Sequence, residues 1–242
     1  MRLSADAPNP AIRALLFDKD GTLIDYGATW APINLKAASL AAGSDSTLAR
    51  CLLVAGGADP ATGMAAADTV LAAGSAAEIA RCWIDAGAAF ATGALTRVLD
   101  DLFAEAASSA VPLTDLPALF GRLKGRGLGI GIASTDNECA IRATLAHLGL
   151  TGLVDFAAGY DSGYGSKPDP GMGLAFRRAL GLDAAQIAVI GDNAHDMRMG
   201  RAAGAGLVIG VLSGTGTRET LAPLADLCLA SVAGIEAVLG PS

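Results

Sequence analysis

Four short apolar runs set the rhythm of the chain: RALLFD (13–18), LGIGIA (128–133), QIAVIG (186–191) and GLVIGV (206–211). Each is too short for a helix and lacks strict alternation, which is the pattern of a strand buried on both faces of a parallel sheet. FAAGY (156–160) and LCLA (227–230) are fainter versions of the same pattern. Between the runs the apolar spacing changes to that of a helix. In LPALFGRLKGRG (116–127), Leu116, Leu119, Phe120 and Leu123 fall on one face. In DNECAIRATLAHLGL (136–150), Ile141, Leu145 and Leu148 do the same. From about residue 112 onward, strand and helix alternate, and that alternation predicts an open parallel α/β sheet, Rossmann-like in layout.

Residues 25–111 follow another rule, with no convincing strand. SAAEIARCWIDAGAAF (75–90) opens on a capping box, Ser75 with Glu78, and places Ile79, Cys82, Trp83 and Ala86 at helical spacing. LTRVLDDLFAEA (95–106) does the same with Leu95, Val98, Leu99, Leu102 and Phe103. The prediction is an α/β core made from residues 1–24 and 112–242, with an all-helical insertion over residues 25–111.

Composition narrows the function. The chain has 242 residues, is 52% hydrophobic and carries a net charge of −7 with only 17 Lys and Arg. That balance argues against nucleic acid as a partner, because phosphate-backbone binding needs a basic face. No apolar run reaches the length of a membrane span, and the opening MRLSADAPNP has no apolar core of a leader. The expectation is a cytoplasmic protein without a membrane partner. Cys51, Cys82, Cys139 and Cys228 form no CxxC pair, and His147 and His195 are the only histidines. The common Cys/His zinc spacings are absent, and reduced structural thiols are expected. The sequence does not fix an oligomeric state.

In an open parallel sheet, ligands bind beyond the carboxyl ends of the strands. The first run is followed by Asp18-Lys19-Asp20-Gly21-Thr22, and LGIGIA by Ser134-Thr135-Asp136. QIAVIG is preceded by Ser166-Lys167-Pro168-Asp169-Pro170 and followed by Asp192-Asn193-Ala194-His195-Asp196. Each piece has an ordinary reading: a turn, a helix cap (Thr135 with Glu138), a solvated lysine, a helix-start acid. None of these explains why acid, hydroxyl, lysine and acid pair meet at one sheet edge. Several carboxylates sharing a cavity require a cation. Oxygen donors without His or Cys favour a hard ion, and Mg²⁺ suits a phosphorylated substrate. One carboxylate can then be the nucleophile and a second the proton donor and acceptor, while hydroxyl and ammonium hold the phosphoryl oxygens. Side chains alternate along an extended strand, so Asp18 and Asp20 are expected to face one cavity and Lys19 to point away.

The motifs DKDGT, Ser134 after the second strand, Lys167 in KPDP, and GDNAHD resemble, in order and spacing, the four motifs of the haloacid dehalogenase superfamily. The continuation MRMGRAAGA is similar to its phosphoglycolate-phosphatase-like members. The resemblance implies that Asp18 is nucleophile and Mg²⁺ ligand. Asp20 would be the general acid and base, with its carbonyl on the metal. Ser134 (or Thr135, one residue on) and Lys167 would bind phosphate, and Asp192 and Asp196 would complete the metal site. It also implies that the insertion is a helical cap. The reaction implied is Mg²⁺-dependent hydrolysis of a small phosphorylated metabolite through an aspartyl-phosphate, with 2-phosphoglycolate the leading candidate. A sugar phosphomutase of the same superfamily and a non-catalytic module remain alternatives. A carboxylated substrate would need a cation from the insertion, for which Lys36, Arg50, Arg81 and Arg97 are the candidates.

Overall fold

The computed structural model describes residues 12–239. The amino-terminal stretch 1–10, read above as lacking a leader's apolar core, lies outside the described residues. Six strands form one all-parallel sheet in the order β3-β2-β1-β4-β5-β6. They are β1 (Ala14–Phe17), β2 (Gly129–Ala133), β3 (Phe156–Ala158), β4 (Ile187–Gly191), β5 (Leu207–Val211) and β6 (Leu227–Leu229). All six coincide with the predicted runs, trimmed at their ends. The two faint runs became β3 and β6, the edge strands, whose residues are mostly half-buried; with a neighbouring strand on one side only, they are shorter and less enclosed, and their apolar signal is weaker.

β1 shows why the strong runs are continuously apolar. Leu15 and Phe17 enter one core layer, with Phe17 stacked on Phe120 at 5.3 Å between ring centroids, while Ala14 and Leu16 enter the opposite layer with Phe176 and Met199. The first layer is covered by α6 (Leu116–Gly125), α7 (Glu138–His147) and α11 (Ile235–Val238). The second is covered by α8 (Gly171–Leu180) and α9 (Ala194–Ala202). A short α10 (Arg218–Leu221) follows β5. α7 begins later than the expected Thr135–Glu138 box. Its N-cap is Asn137, whose Oδ1 accepts from the Ala140 amide at 2.8 Å. Glu138 instead accepts from Ser162 and Arg142, which leaves Thr135 outside the helix.

The segment between β1 and α6 is helical: α1 (Tyr26–Ala42), α2 (Ser46–Ala55), α3 (Val70–Ala73), α4 (Ala76–Asp85) and α5 (Thr92–Ala106). These helices share an apolar cluster of their own, containing Trp30, Leu52, Leu71, Ile79, Trp83, Leu99 and Phe103. The Ser75–Glu78 capping box forms as expected at the start of α4. The chain enters and leaves this insert side by side: the Asp25 amide donates to the Val111 carbonyl at 2.8 Å and the Leu113 amide to the Leu23 carbonyl at 3.0 Å. That double strap fixes the insert just past the carboxyl end of β1. Cys51, Cys82, Cys139 and Cys228 are unbridged. No helix among the described residues is long and apolar enough to cross a membrane.

Candidate active site

The strand order reverses at β1: the chain steps outward to β2 and β3, then returns to β4 on the other side of β1. The crevice beyond the carboxyl ends at such a reversal is the natural ligand site of an open α/β sheet. Asp18 follows β1, its amide donating to the Ile190 carbonyl of β4 at 2.8 Å. Asp192 follows β4, and Asp196 lies in the first turn of α9. Carboxylate oxygens of Asp18, Asp192 and Asp196 lie within 4.8 Å of one another. Lys167, from the loop before α8, inserts a buried ammonium at 2.5 Å from Asp18 Oδ1 and 2.6 Å from Asp196 Oδ1.

Asp192 and Asp196 are fixed by backbone or hydroxyl donors, and Asp18 by the Lys167 ammonium. Asp192 Oδ2 accepts from the Thr215 amide at 2.8 Å and Oδ1 from Thr22 Oγ1 at 3.2 Å. Asp196 Oδ2 accepts from the Asn193 amide at 3.0 Å, so this acid caps its own helix with one oxygen and meets Lys167 with the other. Burial raises the Asp18 carboxyl well above the ordinary range; Lys167 opposes this, and Asp196, Asp192 and Asp20 add to it. Burial, then Asp196, pushes Asp192 up to about 7. Burial alone would lower the Lys167 ammonium, but Asp18 and Asp196 reverse that and hold it protonated.

With all three ionised, three carboxylates against one ammonium would leave two negative charges uncompensated in a buried space, which is why Asp18 and Asp192 are pushed toward their protonated forms. A donor set of oxygens only, with that charge balance, fits a hard divalent cation. The backbone is pressed onto the set: a Cβ at Gly214 would lie 2.0 Å from Asp192 Oδ2, and one at Gly21 would lie 2.6 Å from it.

Asp20 lines the same cavity as Asp18, as expected. Lys19 does not point away. Its side chain is 2% exposed, with Nζ at 2.7 Å from Asp20 Oδ1 and 2.9 Å from Asp136 Oδ2. The strict two-residue alternation fails because extended geometry ends at the strand: Leu23 and Ile24 donate back to the Lys19 carbonyl in a tight turn. Asp20 Oδ1 also accepts from Trp30 Nε1 of α1. Thr135 lines the cavity, whereas Ser134 is buried with Oγ accepting from the Asp136 amide at 3.1 Å. His195 and Asn193 are further cavity residues that the sequence reading left unassigned.

The cations expected from the insert are not brought to the site. Lys36 pairs with Glu105 at 3.3 Å on the exposed surface. Arg50, Arg81 and Arg97 are exposed, and none of the four lines the cavity. The insert contributes instead Ala72 and Ala73 to the cavity with Asp18, and Tyr26, Trp30, Asn34, Leu71, Ile79 and Phe103 to an adjoining one that shares Asp20 and Thr135 with it. Thr22 and Thr215 had a usable signal, since both stand in polar loops directly after β1 and β5. Trp30 had none, because its spacing is that of any core aromatic on a helix.

The match to the family model for haloacid dehalogenase-like hydrolases covers residues 12–204. Among curated proteins, the chain is 37% identical over 99 residues to "Probable phosphatase IndB" of Dickeya dadantii, covering 41% of this chain and 43% of that one. It is 35% identical over 112 residues to the phosphoglycolate phosphatase of Rhodospirillum rubrum, covering 46% of each. The matched segments thus span less than half the length of these relatives. Among solved structures, a predicted phosphoglycolate phosphatase from Haemophilus somnus superposes with a TM-score of 0.70 at 17% identity, over 95% of this chain and 98% of that one. The sheet order, the acid-rich crevice and the extent of the family match agree: the chain belongs to the haloacid dehalogenase-like hydrolase family.

Proposed function

We propose that the protein is a Mg²⁺-dependent phosphomonoester hydrolase that works through an aspartyl-phosphate on Asp18. The observation that carries this reading is the buried Lys167 ammonium between Asp18 and Asp196, with Asp192 within reach. An oxygen of Asp18 attacks phosphorus as the ester P–O bond breaks. Asp20 gives its proton to the departing alkoxide, and then takes a proton from the water that attacks the phosphoenzyme. That second attack breaks the bond to Asp18 and releases inorganic phosphate. Lys167 and Thr135, with Ser134 behind it, hold the phosphoryl oxygens as charge shifts onto them. Asp18, Asp192, Asp196 and the Asp20 carbonyl would hold Mg²⁺, which when bound neutralises the acids and the phosphate dianion. The insert acts as a cap over the crevice, with the core formed by residues 1–24 and 112–242 and the cap by residues 25–111.

The substrate is a small phosphorylated metabolite in the cytoplasm. 2-Phosphoglycolate is the first to assay, since relatives bear that activity in their names. The test is phosphate release from a panel of phosphomonoesters, with and without Mg²⁺ and a chelator. Release that stops with EDTA and returns with Mg²⁺ is expected. Isomerised sugar phosphate without free phosphate, in the presence of a bisphosphate activator, would establish the mutase reading instead. No turnover of any ester would leave the non-catalytic module.

The metal reading has a second check that needs no substrate. Gly214→Ala drives a methyl group into Asp192 and displaces it. A metal at 100 times its Kd stabilises the folded state by about 2.7 kcal/mol. The wild-type melting temperature is therefore expected to rise by several degrees with Mg²⁺, and that of Gly214→Ala to rise by less than a third as much. Equal gains in both proteins would remove Asp192 from the metal site.

A further inference from the structure

We infer that Trp30 and Lys19 are positioning residues for Asp20, so that the cap itself, through Trp30, sets the orientation of the acid–base carboxylate. The inference rests on the phosphatase reading above. Both donors fall on the same oxygen: Trp30 Nε1–H and Lys19 Nζ, the latter at 2.7 Å, meet on Asp20 Oδ1. Two donors on one oxygen fix the plane of the carboxyl group and assign proton exchange with the leaving oxygen to Oδ2.

The surroundings make this arrangement stiff. Lys19 is fully enclosed and its second contact is Asp136 Oδ2 at 2.9 Å. A buried ammonium is tolerated only where its charge is matched, so Asp136 anchors Lys19 independently of Asp20. The ammonium also lies 5.2 Å from the centroid of the Trp30 ring, within cation–π range. Trp30 in turn meets Phe103 of α5 edge-on at 5.1 Å. The indole is thus held by the cap core on one side and by Lys19 and Asp20 on the other. A second link ties the same helix to the core: Asp100 of α5 accepts from Tyr160 Oη at 2.9 Å and from Asn137 Nδ2 at 2.9 Å. A buried indole N–H calls for an acceptor whatever its role, and here the acceptor is the crevice carboxylate of Asp20 and not a backbone carbonyl. That choice of acceptor is the feature that ring packing does not require.

The two roles separate by leaving group. 4-Nitrophenolate departs with little help from a proton, whereas an alkoxide needs one. The measured quantity is kcat/KM for 4-nitrophenyl phosphate divided by kcat/KM for an alkyl phosphate such as glycerol 3-phosphate. kcat/KM reports the step that forms the phosphoenzyme, where the acid acts. Trp30→Phe keeps the ring and removes the N–H; the ratio is expected to rise at least tenfold. Lys19→Met, which removes the other donor, is expected to move it the same way and keeps the test open if the first variant does not fold. Trp83→Phe, deep in the cap core and with an indole N–H that has no hydrogen-bond partner among the described residues, is the control, with an unchanged ratio. A ratio unchanged in Trp30→Phe and Lys19→Met, with both substrates slowed equally, overturns the inference and leaves the phosphatase reading standing. A wild-type protein that turns over neither substrate overturns both.

Discussion

Asp18→Asn is expected to lower kcat/KM for every phosphomonoester the protein hydrolyses by on the order of 10⁴-fold or more, the scale seen when a covalent nucleophile is removed, while the fold survives. The amide matches the carboxylate in shape and cannot form a stable phosphoryl bond. The folded state should tolerate it. Asp18 is buried beside Asp192 and Asp196, and burial already pushes its carboxyl toward the neutral form. Replacing it by a neutral group removes like-charge repulsion, and Lys167 keeps Asp196 as its partner. The melting temperature without metal is therefore expected to stay the same or rise. Phosphate release and thermal denaturation on the same sample measure both. Labelled phosphate trapped on acid-quenched wild-type protein, and absent from Asp18→Asn, would place the covalent bond. Turnover by Asp18→Asn close to wild type would refute the nucleophile assignment.

The residues of that prediction were legible because local rules and tertiary structure agree there. β1 and β4 are buried on both faces, so their apolar runs are unbroken, and each ends in an acid because the next residue enters a crevice. Lys167 was legible only as part of an ordered set, since one lysine before Pro-Asp-Pro carries no local signal. Lys19 was misplaced because period-two reasoning holds only while the backbone stays extended, and the chain turns at Lys19 itself. Asp136 and Trp30 were out of reach for a related reason. Their significance comes from packing between α1 and the end of β2, segments about a hundred residues apart. The arginines of the insertion failed in the opposite direction: the helical pattern put them on polar faces, and the structure leaves them there.

Lys167→Met is expected to carry the largest stability cost of any single change at the site, about 3–5 kcal/mol near pH 8 without metal, the range for removing one partner of a buried charge cluster. The side chains are similar in length, so packing is nearly conserved and the loss is electrostatic. Its sign with pH follows from the groups involved. Lys167 has its folded value raised above the unfolded one, so it stays protonated throughout the acid and neutral range, and what varies with pH there is the charge on the acids around it. Asp192 has a folded value of about 7 against an ordinary 3.8. The folded protein therefore binds a proton more tightly there than the unfolded chain, and stability declines as pH rises across that interval. With Lys167 removed, Asp18 and Asp196 lose their counter-charge, and the decline should steepen. The difference between wild type and Lys167→Met is thus expected to be small at pH 4.5 and large at pH 8. Mg²⁺ should recover part of it, because a cation at the three acids replaces some of the missing charge. Urea denaturation at the two pH values, with and without Mg²⁺, measures all four quantities. A pH-independent difference would mean that the methylenes of Lys167, and not its charge, hold the crevice together.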